Sequence, residues 1–516
     1  MLKIKTLDKS KIYSIIFGFT CIFLIMQPIF DLLSYLHIRG FLPFGISTYA
    51  KPLIIGLINL SLLILYKKQI WQCAITYGGY IILMIVHTIL MDGMLIATAT
   101  ILHELRFMIN ILYLLLCYHN MRILYEEADD KEVYVSKLKR SLIAAFALYI
   151  ALYLISVASG TASMTYEYSD YLKQGYKGWM DSGQIFGHTL CICLPFMICT
   201  LLNAKFEKPI VRIICKIGVI LPILVLSMIG TKVSYYIAIL VLVIQVFLEL
   251  FFTIKEKKKS HIINAIVCAI IAATCILAYP ITPVKQNTDI NDSVLSNQPD
   301  KETLAAIIEN EKDKHSIKLD KLEKPSKDKL DKTDKDDEDD DDQTDDTSYT
   351  GKYWAEAIKN ATWTDSALAV LEQKYADGEL HPSDMRDRQL YFNWEKFKLA
   401  DFKYKVFGIG YINQGDMAIE RDVLCVLFSF GLFGFVLVLL RPIILWFRAA
   451  FIMIRRFLKA DISDFCLFEG FSMFFFISWY AGATFIYTNF AVFLSVIMCL
   501  LTYSVNKLKN IEKCDQ

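Results

Sequence analysis

The sequence predicts an all-α polytopic membrane protein with about twelve transmembrane helices and a large, partly helical extracytoplasmic loop between helices 9 and 10. Three observations predict it. The 516 residues are 55% hydrophobic, with a mean hydropathy of +0.41. Apolar runs recur at about 20 residues, the length a helix needs to cross roughly 30 Å of hydrocarbon. Lys and Arg cluster between alternate runs, the pattern that orients a polytopic chain.

The elements follow in order. Behind MLKIKTLDKSK, the run from Ile12 to Leu36 is too long for a cleaved signal peptide and reads as an uncleaved first span. Further spans are expected near residues 45–66, 70–91, 95–118, 142–158, 185–202, 210–229, 233–252 and 262–279, then 423–445, 466–482 and 485–505. The domain plan is therefore nine helices in 1–282, a loop over 283–421, and three helices in 422–516. Basic groups at Lys3 to Lys11, Lys67 and Lys68, Lys131 to Arg140, Lys205 and Lys208, Lys255 to Lys259, Arg448 to Lys459, and Lys507 and Lys509 all fall on one face, which is cytoplasmic with both termini. The WFRAAFIMIRRFLK segment after span 10 alternates aromatic and basic residues, as an interfacial amphipathic helix would.

The loop divides into two unlike parts. Residues 312–346, ending DKDDEDDDDQTDD, are too polar to bury a core and read as a disordered Lys/Asp-rich spacer. Residues 348–421 bring Trp354, Trp363, Tyr375, Tyr391, Phe392, Trp394, Phe397 and Phe402 among charges at helical spacing, so this part is expected to fold against the membrane domain. The loop contains no cysteine, which argues against a disulfide framework. Charge is segregated beside spans and within one loop, with a formal net of +1, so nucleic acid is not an expected partner. The lipid bilayer is.

Chemistry is sought in ionisable groups that lipid would make costly. GTKVSYYIAIL places Lys232 at the outer end of a span, where an ammonium beside a helix N-terminus suits a diphosphate; it equally suits a snorkelling boundary lysine. HPSDMRDRQLYFNWEKF offers Arg386 and Arg388, whose guanidinium groups match phosphate in bidentate fashion or simply stay solvated. In VFGIGYINQGDMAIERDVLCVLFSFGLFGF, Glu420 and Asp422 stand at the lip of the next span, placed to deprotonate or orient an acceptor hydroxyl, or to cap the helix. GWMDSGQIFGHTL brings Gln184 to the outer end of span 6. HELRF sets Glu104 and Arg106 inside span 4, as a structural pair or the lining of a polar cavity.

In this order, GWMDSGQIFG, IGTKVSYYIA, an outer loop with arginines, VFGIGY and IERDVLCVLFSFGLFG resemble the O-antigen ligase and polymerase family. The resemblance is to its Gram-positive branch, which polymerises cell-surface polysaccharide repeat units. It implies a metal-independent, cofactor-free inverting glycosyltransferase at the outer face of the plasma membrane. That enzyme transfers glycan from an undecaprenyl-diphosphate carrier to a sugar hydroxyl of the next lipid-linked repeat unit. It assigns catalysis to Glu420 and Asp422, and substrate binding to Gln184, Lys232 and Arg386 or Arg388; Arg106, from its place inside span 4 and not from the resemblance, is a further substrate-binding candidate. It implies a flippase and a chain-length regulator as partner proteins. The ligase branch commonly carries arginine at the Lys232 position and a His-Asn pair where this chain has Glu420-Arg421. Trp179, Trp354 and Trp394 are available to stack on sugar or to pack. Alternatives are a ligase joining finished glycan to another acceptor and, in a different class, a polysaccharide flippase or exporter.

Overall fold

The computed structural model describes residues 9–92, 98–167, 173–204, 207–296, 363–380, 385–410, 419–482 and 487–514. The expected spacer over 312–346, Trp354 and the side chains of Glu104 and Arg106 lie outside them. Among the described residues the chain is helical apart from one two-stranded ribbon. The helices are α1 (Lys9–Ile25), α2 (Gln27–Ile38), α3 (Ile46–Leu65), α4 (Lys68–Asp92), α5 (Thr98–Glu126), α6 (Lys131–Ala158), α7 (Gly183–Leu202), α8 (Pro209–Ile217), α9 (Ile220–Met228), α10 (Lys232–Glu256), α11 (Lys259–Ala278) and α12 (Pro283–Ser296). Then come α13 (363–376), α14 (Met385–Leu399), α15 (Phe402–Phe407), α16 (Asp422–Arg455), α17 (Ile462–Tyr480) and α18 (Thr488–Cys514). The ribbon, β1 (Ser163–Met164) with β2 (Tyr176–Gly178), is antiparallel.

Among the described residues, ten helical segments are long and apolar enough to cross a membrane, or eleven if α1 and α2 count as one bent span. The expectation was about twelve. The expected fourth span, 95–118, begins outside the described residues, and α5, which covers the rest of it, is not among these segments. The α1/α2 bend is 49°, and it falls where Pro28 enters the first turn of α2 and lacks the N–H that would continue the ladder. The expected separate interfacial helix after span 10 is instead the last turns of α16, which runs to Arg455. Nothing between Leu445 and Arg455 caps or breaks the helix, and the Trp446 indole donates to Ser472 Oγ at 2.9 Å, tying that end to α17.

Two compact units result, neither contiguous in sequence. The first takes residues 1–77, 109–293 and 437–516; the second takes 78–108 and 294–436. In the first unit α7 is buried nearly all round and packs against α10, α17 and α18. Its Gly187 permits the approach to α10, since a Cβ there would overlap the Ser234 hydroxyl. Local signals start the helices: Asp130 accepts from the backbone N–H of Glu132 and Val133 ahead of α6, and Asp461 with Asp464 forms a capping box ahead of α17.

The second unit has a small core of Ala367, Leu368, Leu371, Tyr375, Leu380 and Phe392. Some aromatics of this region meet within it: Trp363 stands edge-on to Tyr404, and Trp394 and Phe397 meet Phe428. Helix α16 is broken at Gly431, whose φ of 65° and ψ of −168° are not helical. The break frees carbonyls of the preceding turn. Ile409 N–H donates to Phe428 O at 2.8 Å and Gly410 N–H to Ser429 O at 3.3 Å. The glycines of VFGIGY therefore lie backbone to backbone on a broken helix, and His87 Nδ1 meets the Phe407 carbonyl oxygen at 2.8 Å on the same segment.

Candidate functional site

The second unit assembles the carboxylates expected at the lip of span 10. Arg386 Nε donates to Glu420 Oε2 at 3.1 Å, and Arg421 donates to Asp387 Oδ1 at 2.8 Å. Glu420 N–H donates to Gln389 Oε1 at 3.3 Å. Three contacts thus lace the first turns of α14 to the residues entering α16. Sequence reasoning treated Arg386 as a cation for phosphate; its partner here is the Glu420 carboxylate. That pair is about one-third exposed on both sides, so Glu420 is held in place and still reachable. Arg388, two residues on, is buried. Asp422 is the first residue of α16 and is also buried, where a carboxylate complements the positive end of the helix.

The first unit holds the expected cation. Lys232 is the first residue of α10, half-buried, and no hydrogen bond or ion pair among the described residues engages its side chain. A cation in the first turn opposes the helix dipole and costs about 0.3–1 kcal/mol. The turn before it is fastened to the segment before β2. Asn287 Nδ2 donates to Gly230 O at 2.9 Å and to Gln174 O at 2.7 Å, while Gln174 N–H donates to Asn287 Oδ1 at 2.6 Å. Thr165 Oγ1 donates to Ile229 O at 2.7 Å. The two backbones touch: a Cβ on Gly175 would overlap the Ile229 carbonyl, and one on Gly230 the Gln174 carbonyl. Burial first, and the Lys232 charge second, push the Lys173 ammonium below the usual lysine range.

Gln184, the second residue of α7, donates from Nε2 to Ala481 O at 3.2 Å. Trp179 donates to Thr161 Oγ1 at 2.9 Å. Neighbouring charges are compensated: Glu167 takes Arg39 at 2.6 Å and Lys177 at 3.7 Å.

Sequence reasoning missed three arrangements. Gln174 and Asn287 carry no local signature, because their significance is the approach of segments more than 50 residues apart. Asp31 and Lys51 pair at 3.5 Å inside the first unit, with Tyr149 OH donating to Asp31 Oδ2 at 2.5 Å; ionisable residues within apolar runs were the available signal. Arg441, in the second half of α16, donates to Thr76 Oγ1 at 2.8 Å and meets His119 Nε2.

These features define an all-α polytopic membrane protein with ionisable groups gathered where its helices begin. The chain belongs to the family of O-antigen ligase like membrane proteins, whose model matches residues 16–508. That membership supports a membrane glycan polymerase or ligase role and a glycosyltransferase-type activity in polysaccharide biosynthesis. No curated protein matches the chain.

Proposed function

We propose that this protein is a polysaccharide polymerase. It transfers undecaprenyl-diphosphate-linked glycan onto a sugar hydroxyl of the next lipid-linked repeat unit. It does so at the outer face of the plasma membrane, with both termini cytoplasmic and the 283–421 loop outside. Family membership over residues 16–508 carries the reading; the pairing of Arg386 with Glu420 and the uncompensated Lys232 support it.

In this mechanism the acceptor hydroxyl loses its proton to Glu420 as its oxygen attacks the anomeric carbon. The bond from that carbon to the carrier diphosphate breaks, with inversion, and the diphosphate leaves with the bonding electrons. General base assistance contributes about 10² to 10⁴ in rate. Arg386 holds the Glu420 carboxylate in a fixed direction, and Asp422 orients the acceptor sugar. Lys232 neutralises charge developing on the leaving diphosphate, a preorganised electrostatic contribution of roughly 3 kcal/mol. Gln184, Arg106 and Arg388 bind the remaining polar groups of the substrates. A flippase would deliver the lipid-linked units and a chain-length regulator would set the product.

Cells lacking the protein are expected to accumulate single repeat units on the carrier at the outer face, with no long chains. Units trapped inside would point to a flippase, and long chains left unattached to their acceptor would point to a ligase. In a reconstituted assay with lipid-linked repeat units, normal chain growth in both Glu420→Gln and Lys232→Ala would overturn the site assignment.

A further inference from the structure

A cavity of about 910 Å³ opens in the first unit where α1, the end of α3, the start of α4 and the end of α5 meet. Its volume falls in the range of small-molecule sites, roughly 300–1,000 Å³. Both α3 and the segment Lys68–Leu90 are long and apolar enough to cross a membrane, and only Tyr66 and Lys67 separate them. That turn therefore stands at headgroup depth, in one of the Lys clusters that orient the chain. The walls are of two kinds. Ile12 and Ile64 are apolar, whereas Lys9, Lys67 and Lys68 bring charge. The single carboxylate lining the cavity among the described residues is Glu127, and it is already engaged: Lys68 meets it at 2.9 Å and Gln69 Nε2 donates to it at 2.7 Å. Lys68 and Glu127 cancel. The other two cations do not, since no hydrogen bond or ion pair among the described residues engages the side chain of Lys9 or Lys67. Specific contacts hold these groups around the cavity. The Tyr13 hydroxyl donates to Leu124 O at 2.8 Å, fixing α1 to α5. Gln69, 3% exposed, also reaches Glu126 Oε2 at 3.1 Å, and its N–H donates to Tyr66 O at 2.8 Å to close the turn.

Two uncompensated ammonium groups beside apolar walls at the membrane surface match a molecule that is anionic at one end and apolar at the other. We propose that this cavity seats the headgroup of an anionic phospholipid, with Lys9 and Lys67 on its phosphodiester and the first acyl carbons against Ile12 and Ile64. Basic pockets at the ends of membrane helices recognise lipid headgroups through this combination of charge and depth. A free phosphate would satisfy the lysines and leave the apolar walls in water. A zwitterionic lipid would bring its own cation to two that already lack a partner. A lipid held here bridges α1 to the hairpin of α3 and α4. The seat is distinct from the residues proposed for glycan transfer.

The test uses the full chain in detergent micelles, titrated with phosphatidylglycerol or phosphatidylcholine, with bound lipid counted by native mass spectrometry. The unmodified protein is expected to bind phosphatidylglycerol roughly 30-fold more tightly, about fivefold for each uncompensated lysine. Lys9→Gln with Lys67→Gln is expected to remove that preference and leave phosphatidylcholine binding in place. Lys208→Gln with Lys259→Gln, which removes the same charge from two exposed lysines of other turns, is expected to keep it. Glu127→Gln frees Lys68 and is expected to strengthen phosphatidylglycerol binding about fivefold. Ser61→Trp fills the cavity from α3 without changing charge and is expected to weaken it. Glycerol 3-phosphate, a headgroup without acyl chains, is expected not to compete. Equal loss in the two double variants would reduce the effect to general surface charge and overturn the seat. Competition by glycerol 3-phosphate would make it a free-phosphate site, and tighter binding of undecaprenyl monophosphate than of phosphatidylglycerol would make it a carrier-lipid site; either result overturns the proposal. So would an unaltered preference in Lys9→Gln with Lys67→Gln, or unchanged phosphatidylglycerol binding in Glu127→Gln or Ser61→Trp.

Discussion

Replacing Gly408 by alanine tests how the residues entering α16 are held. Gly408 has φ 96° and ψ 163°, a region open essentially to glycine and costing other residues about 1–3 kcal/mol. A Cβ there would overlap the Ser429 carbonyl, so the segment must withdraw from the broken helix. Withdrawal loses the Ile409 N–H to Phe428 O bond and the Gly410 N–H to Ser429 O bond, worth about 1 kcal/mol each. The sum is about 3–5 kcal/mol, or about two to four orders of magnitude in the folding equilibrium. The matched control is Gly378→Ala: φ is +71° but no heavy atom lies within 4 Å of the added Cβ, so the cost is only the left-handed penalty of about 1–2 kcal/mol. Equilibrium unfolding in mixed detergent micelles measures both. Chain growth should fall in Gly408→Ala as well, since the segment supports the turn that follows Glu420. A Gly408→Ala loss no larger than that of Gly378→Ala would refute the docking of VFGIGY on the break.

Three further outcomes are expected. Glu420→Gln should lower the rate of chain growth by about 10² to 10⁴ with little change in substrate binding, read from kcat against KM. Lys396 is buried in α14 and its ammonium is pushed down to about 8 by desolvation. Its folded value lies below its unfolded one, so the unfolded chain binds more protons between about pH 8 and 10.5, and stability should rise with pH across that window. The penalty is fully present below pH 8 and is on the order of 3 kcal/mol; Lys396→Met should recover it at pH 7 and flatten the rise, as unfolding at pH 7 and 10 would show. Deleting residues 312–346 should leave chain growth largely unchanged in the reconstituted assay if that tract is a spacer, and loss of activity would refute that reading.

Much of the membrane architecture was legible in the sequence because the bilayer imposes a length and a composition on every span, and both are local properties. The helices over Gly183–Leu202, Lys232–Glu256 and Thr488–Cys514 coincide with apolar runs for that reason. Segment order also carried the family, since GWMDSGQIFG, GTKVSYYIA, VFGIGY and IERDVLC are local strings. The residue types at Lys232, Glu420 and Asp422 could be read off as candidates.

What the sequence left open was which groups meet. Arg386 was legible as a cation suited to phosphate, but its contact with Glu420 was not. The break of α16 at Gly431 was hidden inside an uninterrupted apolar run, because hydropathy reports burial and not backbone direction. Asn287, in a polar stretch after the ninth expected span, gave no sign that it would clasp Gln174 and Gly230. Apolar length is written one segment at a time, so the GTK turn and Lys232 at its end were visible from the start; the arrival of Asn287 at that turn depends on side-chain reach across packed helices, which only the tertiary structure decides.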